Sequence, residues 1–388
     1  MENDLQFMRL ALEFAKRGEG FVEPNPMVGC VLVKNGNIIG KGFHTKFGEP
    51  HAEVEALRDA KKCYGEESIA GSTCYVTLEP CSHYGKTPPC TSVLQSSGIR
   101  RIVAAMRDPN PAVNGQGLQI LRDAGLEITE HVLEKEARFL NAPYLTLLEQ
   151  HRPWIIAKWA MTLDGRLASR TGSSQWISGE ASRNIVHHLR GRMDAVMIGS
   201  QTALRDNPEL TVRLDEIAPR TPIRIVLDSK AALTSEYRLV QTARQVPVLL
   251  VVNPNASEKQ IKILQDAGCE ILPLLSENTE SDTESKNTEH DYRNRTEVLM
   301  KHLAQRKITN LLVEGGKQLF GTLFDMQLID EVHVFIAPKL IGGEESYPVI
   351  GGTGLSEMKQ AWQLEPPEIQ ILGQDVYIHG RIHHTPHT

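Results

Sequence analysis

Apolar residues recur at helical spacing near the start of the chain, where Leu5, Met8, Leu12 and Ala15 share one face. The period then changes. Residues 27–33 are a short apolar run, Asn35-Gly36 is a turn pair, and a second run reaches Phe43, which together predict a β-hairpin. His51 opens a second helix with Ala56, Leu57 and Ala60 on its apolar side. Residues 72–78 (STCYVTL) predict a buried strand running into Pro80-Cys81. Pro89-Cys90 opens the next apolar-periodic segment, and residues 102–105 give another strand. A helix over 115–124 and a strand near 126–129 complete an alternating series, the pattern of a three-layer α/β unit.

A helical segment over 133–148 leads to Arg152-Pro153, where a strand over 154–161 begins. Further strands are predicted at 195–198, 223–227, 246–252, 310–313 and 332–337, so the second half is again α/β. The domain boundary is expected near residue 147, dividing the chain into 1–147 and 148–388. Residues 276–297 (SENTESDTESKNTEHDYRNRTE) are almost devoid of apolar side chains and predict a solvated, disordered insertion.

Length and composition narrow the function. A chain of 388 residues with 40% hydrophobic content can build two packed cores. The formal charge is −6 with both signs interspersed, which disfavours nucleic acid as the main partner. The opening MENDLQFMRL lacks the apolar core of a signal peptide, and the longest apolar run, VPVLLVV, is too short to span a bilayer. A cytoplasmic protein with no membrane partner is expected. Its six cysteines are then expected to be reduced, with Cys30, Cys63, Cys74 and Cys269 ordinary thiols.

The remaining cysteines carry chemistry. His51-Ala52-Glu53, Pro80-Cys81 and Cys90 offer one imidazole and two thiolates as zinc ligands, leaving a fourth position for water and placing a carboxylate beside it. H-x-E with a pair of cysteines is the zinc deaminase pattern, although eight residues, 82–89, separate these cysteines where two are usual. Both thiols are expected near helix N-termini, which favour thiolate. A closed structural site would need a fourth ligand, for which His44 and His83 are candidates. In the second half no G-x-G-x-x-G or Walker loop is present. Glu314-Gly315-Gly316 follows a strand and runs into a helix over 317–324, and Asp206-Asn207-Pro208 is followed by Arg213. The residues alone point to a nucleotide or phosphosugar domain.

Longer segments add a resemblance covering nearly the full length. NPMVGCVLV, GEPHAEVEAL, YVTLEPCSHYGKTPPC and MRDPNP resemble the deaminase domain of the bifunctional riboflavin-biosynthesis deaminase/reductases, whose wide cysteine spacing matches this chain. KWAMTLDGRLA, SSQWIS, DNPELTVR, RIVLDS, LLVEGGKQLFGTLF and APKLIGG resemble the reductase domain of the same family. The resemblance implies a cytidine-deaminase-like domain followed by a dihydrofolate-reductase-like α/β domain. It implies zinc-dependent hydrolysis of the 2-amino group of 2,5-diamino-6-(5-phosphoribosylamino)pyrimidin-4-one, then NADPH-dependent reduction of the ribosyl unit to ribityl. On matching positions His51, Cys81 and Cys90 are the metal ligands and Glu53 the proton shuttle, with Asn25, His44, His83 and Lys86 at the substrate. In the second domain Ala160, Trp176, Thr202, Asp206 and Ser229 are implied at the cofactor, and Gly316, Lys317, Gln318, Leu319, Phe320, Gly321 and Thr322 at its phosphates. Ser174, Arg190, Leu210, Arg213 and Glu314 are implied at the phosphosugar, and Lys158 and Asp206 as catalytic groups. Thr162 and Arg205 depart from the family pattern, and Arg205 adds a positive charge near any 2′-phosphate. A dimer or tetramer is also implied.

Two rivals differ in class. A deaminase with a silent reductase-like domain would release ammonia without oxidising NADPH. An RNA-binding base-editing module would need a basic surface and stacking aromatics, against 5% aromatic residues and net negative charge.

Overall fold

The computed structural model describes residues 2–84, 88–111, 113–214, 218–274, 288–343 and 347–383. The chain divides into two compact units, Met1–Arg152 and Pro153–Thr388.

The first unit runs α1 (Glu2–Ala15), β1 (Gly29–Lys34), β2 (Asn37–Phe43), α2 (Ala52–Tyr64), β3 (Thr73–Val76), α3 (Cys90–Ser96), β4 (Arg101–Ala104), α4 (Gln116–Asp123), β5 (Glu127–Thr129), α5 (Glu134–Leu140) and α6 (Ala142–Glu149). The sheet order is β2-β1-β3-β4-β5, with β1 antiparallel to both neighbours and β3, β4 and β5 parallel. Alternation along β1 makes three layers. Cys30 and Leu32 face Ala52, Ala56 and Ala60 of α2, whereas Val31 and Val33 face Phe7, Met8 and Ala11 of α1. Gly42 lets β2 approach α2 closely, since a Cβ there would collide with the backbone at Ala52 and Ala56. That contact fixes the start of α2, which carries His51 as its N-cap and Glu53 in its first turn.

The expected helix over 133–148 is two helices, and the boundary expected near 147 falls inside the second. They part at Asn141, whose side chain accepts from the Met27 N–H at 2.8 Å and donates to the Met27 carbonyl at 3.0 Å. A long-range polar contact of this kind leaves no trace in helical periodicity.

Glu79, 3% exposed, follows β3 and ties the cysteine loop to α4. Its carboxylate accepts from Gly117 N (2.8 Å), Leu118 N (3.3 Å), Gly115 N (2.8 Å) and Asp108 N (3.2 Å). Orphan donors at a helix start and a buried charge satisfy one another.

The second unit contains β6 (Trp154–Thr162), α7 (Glu180–Gly191), β7 (Ala195–Gly199), α8 (Ser200–Asp206), β8 (Ile223–Leu227), α9 (Arg238–Gln241), β9 (Val248–Val252), α10 (Glu258–Asp266), β10 (Glu270–Pro273), α11 (Thr288–Gln305), β11 (Asn310–Val313), α12 (Lys317–Asp325), β12 (Glu331–Ala337), β13 (Gln363–Leu364), β14 (Glu368–Leu372) and β15 (Asp375–His383). The sheet order is β10-β9-β8-β7-β11-β6-β12-β15-β13, with β14 also on β15. Strands β6 to β12 are mutually parallel, and β15 joins β12 antiparallel. The chain winds outward from β7 to β10 and returns to slot β11 between β6 and β7, so loops from distant sequence meet at one edge of the sheet. One face is covered by α11 and α12 through Leu299, Leu303, Phe320 and Leu323, and the other by α7 to α10 through Leu189, Ala203, Leu239 and Leu264.

The polar stretch 276–297 differs from its expectation. Residues 288–297 are the first half of α11, while the rest of the stretch lies outside the described residues. The helix is anchored by Leu299, Met300 and Leu303 in its second half, all buried in the core. A composition window centred on the polar half misses that anchor.

Replacing Glu79 by Gln should lower the stability of the first unit by about 2–3 kcal/mol, because one acceptor oxygen becomes a donor facing N–H groups. Urea unfolding of the full chain checks this. An unchanged midpoint would remove Glu79 from the forces holding the loop.

Candidate active sites

In the first unit the N-cap of α2 and the first residue of α3 face each other across the loop after β3. His51 Nδ1 lies 3.3 Å from Cys90 Sγ and 3.6 Å from Cys81 Sγ. Tetrahedral zinc, with Zn–N about 2.0 Å and Zn–S about 2.3 Å, holds its ligand atoms about 3.5–3.8 Å apart, so this donor set fits the ion. Cys81 sits in the loop and not at a helix start as expected. Its sulfur nevertheless reaches the N-terminus of α3, accepting from Cys90 N at 3.3 Å. A hydrogen bond from the Cys90 thiol lowers Cys81 to about 4, and the same contact holds Cys90 well above its ordinary value. Cys81 also pushes the His51 imidazole up.

Glu53 is 3% exposed, and burial raises its carboxyl above the usual range against the opposing charge of His51. The two candidate fourth ligands do not join the cluster. His44 donates from Nδ1 to the Pro50 carbonyl at 3.1 Å, which leaves Nε2 to accept from Asn25 Nδ2 at 3.2 Å. Both of its nitrogens are engaged. Among the described residues only His51, Cys81 and Cys90 come together here, without His83, so the ligand set is open. Asn25 and His44 are thus adjacent, with His44 edge-on to His51 at 5.4 Å between centroids. Lys86 lies outside the described residues.

In the second unit Glu314 follows β11 and is held by two cations. Arg190 of α7 donates from Nε at 2.5 Å and Nη2 at 2.9 Å, and Lys158 Nζ of β6 lies 3.5 Å away. Arg190 Nη1 donates to the Thr211 carbonyl at 3.3 Å, fixing the loop that carries Leu210 and Arg213. The cations hold Glu314 down to about 2 despite its burial, and burial lowers Lys158. Arg213 is more than half exposed and pairs with Glu209 at 3.0 Å. Asp206 is raised by burial and accepts a hydrogen bond from Ser174.

A cavity of about 520 Å³ opens at the carboxyl ends of β7, β8 and β11. Of the implied cofactor positions, Thr202, Ser229, Gly316, Lys317, Gln318, Leu319 and Thr322 line it, and Ala160, Trp176, Asp206, Phe320 and Gly321 do not. Phe320 is fully buried against Trp159, and Gly321 packs on the backbone of Gly351-Gly352. Trp176 is 64% exposed under the Arg183 guanidinium, 4.7 Å from its ring centroid. The wall also contains Arg293, Arg295, Thr296 and Leu299 of α11, none of them anticipated, because sequence composition assigned most of that stretch to solvent. The basic pair in the segment YRNR was the available signal.

A family model described as the RibD C-terminal domain matches residues 153–378. The chain belongs to the RibD family. A second model, the cytidine and deoxycytidylate deaminase zinc-binding region, matches residues 1–106. The riboflavin biosynthesis protein RibD of Aquifex aeolicus is 38% identical over 377 residues, covering 97% of this chain and 98% of the relative. That of Escherichia coli is 38% identical over 387 residues, covering 97% and 98%. Among solved structures, one form of Acinetobacter baumannii RibD aligns with a TM-score of 0.81 at 33% identity, over 98% of this chain and 99% of that one. The Thermotoga maritima diaminohydroxyphosphoribosylaminopyrimidine deaminase/5-amino-6-(5-phosphoribosylamino)uracil reductase aligns at 0.79 and 34%, over 98% and 99%. This RibD-family chain is a bifunctional deaminase and reductase of riboflavin biosynthesis, acting on a small molecule. Its two domains imply zinc in the first unit and a nicotinamide cofactor in the second. Among the described residues no helix is long and apolar enough to cross a membrane.

Glu314 gives a pH prediction. Its folded value, about 2, is below its ordinary 4.5. Its contribution is therefore fully present above pH 4.5 and is lost as pH falls toward 2. Glu314→Gln should destabilise the second unit by about 3–5 kcal/mol at pH 7, where it leaves two buried cations unmatched. In denaturant titrations at several pH values, the gap between variant and wild type should close toward pH 2. A pH-independent gap would contradict the assignment.

Proposed function

We propose that the first unit hydrolyses the 2-amino group of 2,5-diamino-6-(5-phosphoribosylamino)pyrimidin-4-one and that the second reduces the resulting ribosylaminouracil with NADPH. The observation that carries the first step is the open set of His51, Cys81 and Cys90 with Glu53 buried beside it. When bound, zinc supplies the acidity that brings a water in the open position to a pKa of roughly 7. Glu53 is the proton carrier. It takes a proton from the attacking water, delivers one to the ring nitrogen, and passes another to the departing amine, so that water enters and ammonia leaves. A carboxyl whose affinity for protons is raised by burial suits both accepting and returning them. Asn25 and His44, held by one hydrogen bond, supply a polar wall for the pyrimidine edge, and the resemblance adds His83 and Lys86 as substrate contacts, Lys86 suiting the 5-phosphate by its charge.

In the second unit NADPH takes the cavity lined by Thr202, Ser229 and residues 316–319 with Thr322. Gly316 is the N-cap of α12 and carries no side chain to stand between the first amides of that helix and the phosphates. Of the remaining cofactor positions, Phe320 and Gly321 lie between lining residues in sequence, and Ala160, Trp176 and Asp206 rest on the resemblance alone. When bound, NADPH would supply the hydride that reduces the ribosyl carbon C1′ of the opened imine, with a proton going to the imine nitrogen. Asp206, raised by burial and bonded to Ser174, is assigned as the proton donor for that step, and Lys158, whose charge burial disfavours, as the second catalytic group. Arg213, half exposed, is the freer arginine for the 5-phosphate, whereas Arg190 positions Glu314 and the Leu210 loop. The edge strand β14 exposes Ile369 and Ile371, which supports association into a homo-oligomer. We place the enzyme in the cytoplasm.

A coupled assay tests both steps. The zinc-loaded chain is supplied with the diaminopyrimidine phosphoriboside and NADPH, and ammonia and 340 nm absorbance are followed together. Matching ammonia release and NADPH loss is expected, and ammonia alone would leave a silent second unit. Glu53→Gln should keep zinc and reduce authentic deaminated substrate at wild-type rate while losing deamination by about 10²–10⁴-fold. Surviving deamination would sink the role given to Glu53.

A further inference from the structure

We propose that Arg295 and Arg293 of α11, with the Ser229 hydroxyl, form a binding site for the phosphomonoester on the adenosine ribose and so set the preference for NADPH over NADH. This rests on the reading of the 520 Å³ cavity as the nicotinamide cofactor site.

Three observations carry it. The first is distance along the sheet. Lys158 on β6, at the Glu314 cluster, marks the reducing end, and β8 lies three strands away in the order β6-β11-β7-β8. At about 4.8 Å per strand that is about 14 Å, the scale of an extended dinucleotide. The pyrophosphate then lies over the intervening ends of β7 and β11, where the starts of α8 and α12 line the cavity, and the adenosine ribose lies over the end of β8.

The second is the chemistry at that strand end. A site selective for NADH presents a carboxylate to the ribose hydroxyls at the end of the neighbouring strand. Here the acid is Asp228, 1% exposed, with its carboxylate accepting from Leu233 N at 3.0 Å. It is engaged within the fold, and Ser229, next in sequence, lines the cavity in its place.

The third is the charge brought by α11. Arg295 Nη1 donates to Ser229 Oγ at 3.4 Å, and Arg293 lines the same wall. Two guanidinium groups and a hydroxyl match a phosphomonoester, which carries nearly two negative charges and accepts several charge-assisted hydrogen bonds. Among the described residues the single carboxylate on the wall is Asp325, which is held by Thr353 N at 2.7 Å and Gly354 N at 3.2 Å.

The test is calorimetric binding to the full chain of NADPH, NADH and 2′,5′-ADP, which carries the phosphomonoester without the nicotinamide. Arg295→Met and Arg293→Met should each weaken NADPH and 2′,5′-ADP about tenfold, and the double variant about a hundredfold. NADH affinity should stay within about twofold, which also reports that the unit is folded. NADPH affinity unchanged in the double variant, or equal losses for NADPH and NADH, would overturn the proposal. Gly316→Leu separates this from the reading beneath it, since it fills the space facing Thr202. If a Gly316→Leu chain with wild-type thermal midpoint binds both nucleotides normally, the cavity is not the cofactor site. If it loses both while the arginine variants keep NADPH, the cavity stands and the arginine site falls.

Discussion

A carboxylate removed from water must be matched by donors or cations, and each unit is organised around one that is. Glu79 collects four backbone N–H groups from the start of α4 and the loop before it. Glu314 collects Arg190 and Lys158 from a helix and a strand far away in sequence. Removing either partner of such a contact costs several kcal/mol, which is comparable with the net stability of a domain. The segments that carry chemistry are therefore held by their neighbours' charges as firmly as by apolar packing. Cys81 follows Glu79 by two residues, and Thr211, two residues before Arg213, is tied to the arginine that holds Glu314.

The two sites use burial in opposite ways. At Glu53 burial outweighs the opposing charge of His51 and the carboxyl is pushed up, toward a group that exchanges protons. At Glu314 burial is overcome by two cations and the carboxylate is fixed in its charged form. One acid is prepared to change state and the other to keep it.

Much of this was legible in the residues. The hairpin, the helix opened by His51 and the strand leading to Cys81 follow from period and turn chemistry, and the donor set follows from residue type. Lys158 and Arg190 were marked by the resemblance alone, whereas Glu314 also stood out by its place before a glycine pair between strand and helix. What periodicity could not show was partnership at long range, such as Asn141 breaking a helix by bonding to Met27. Composition also failed at α11, where a polar half is carried into order by the apolar half that follows. The antiparallel strands β13 to β15 were missed because their register depends on pairing with β12 and with one another.

The insertion of β11 between β6 and β7 has a consequence for biosynthesis. The ribosome releases β6 and β7 more than a hundred residues before the strand that joins them. Until residue 313 has emerged, both strands expose unpaired backbone edges, and the centre of the sheet cannot close. The nascent second unit is therefore most exposed to misassociation during that interval, and the pairing that joins β6 to β7 is also the one that delivers Glu314 to its cations.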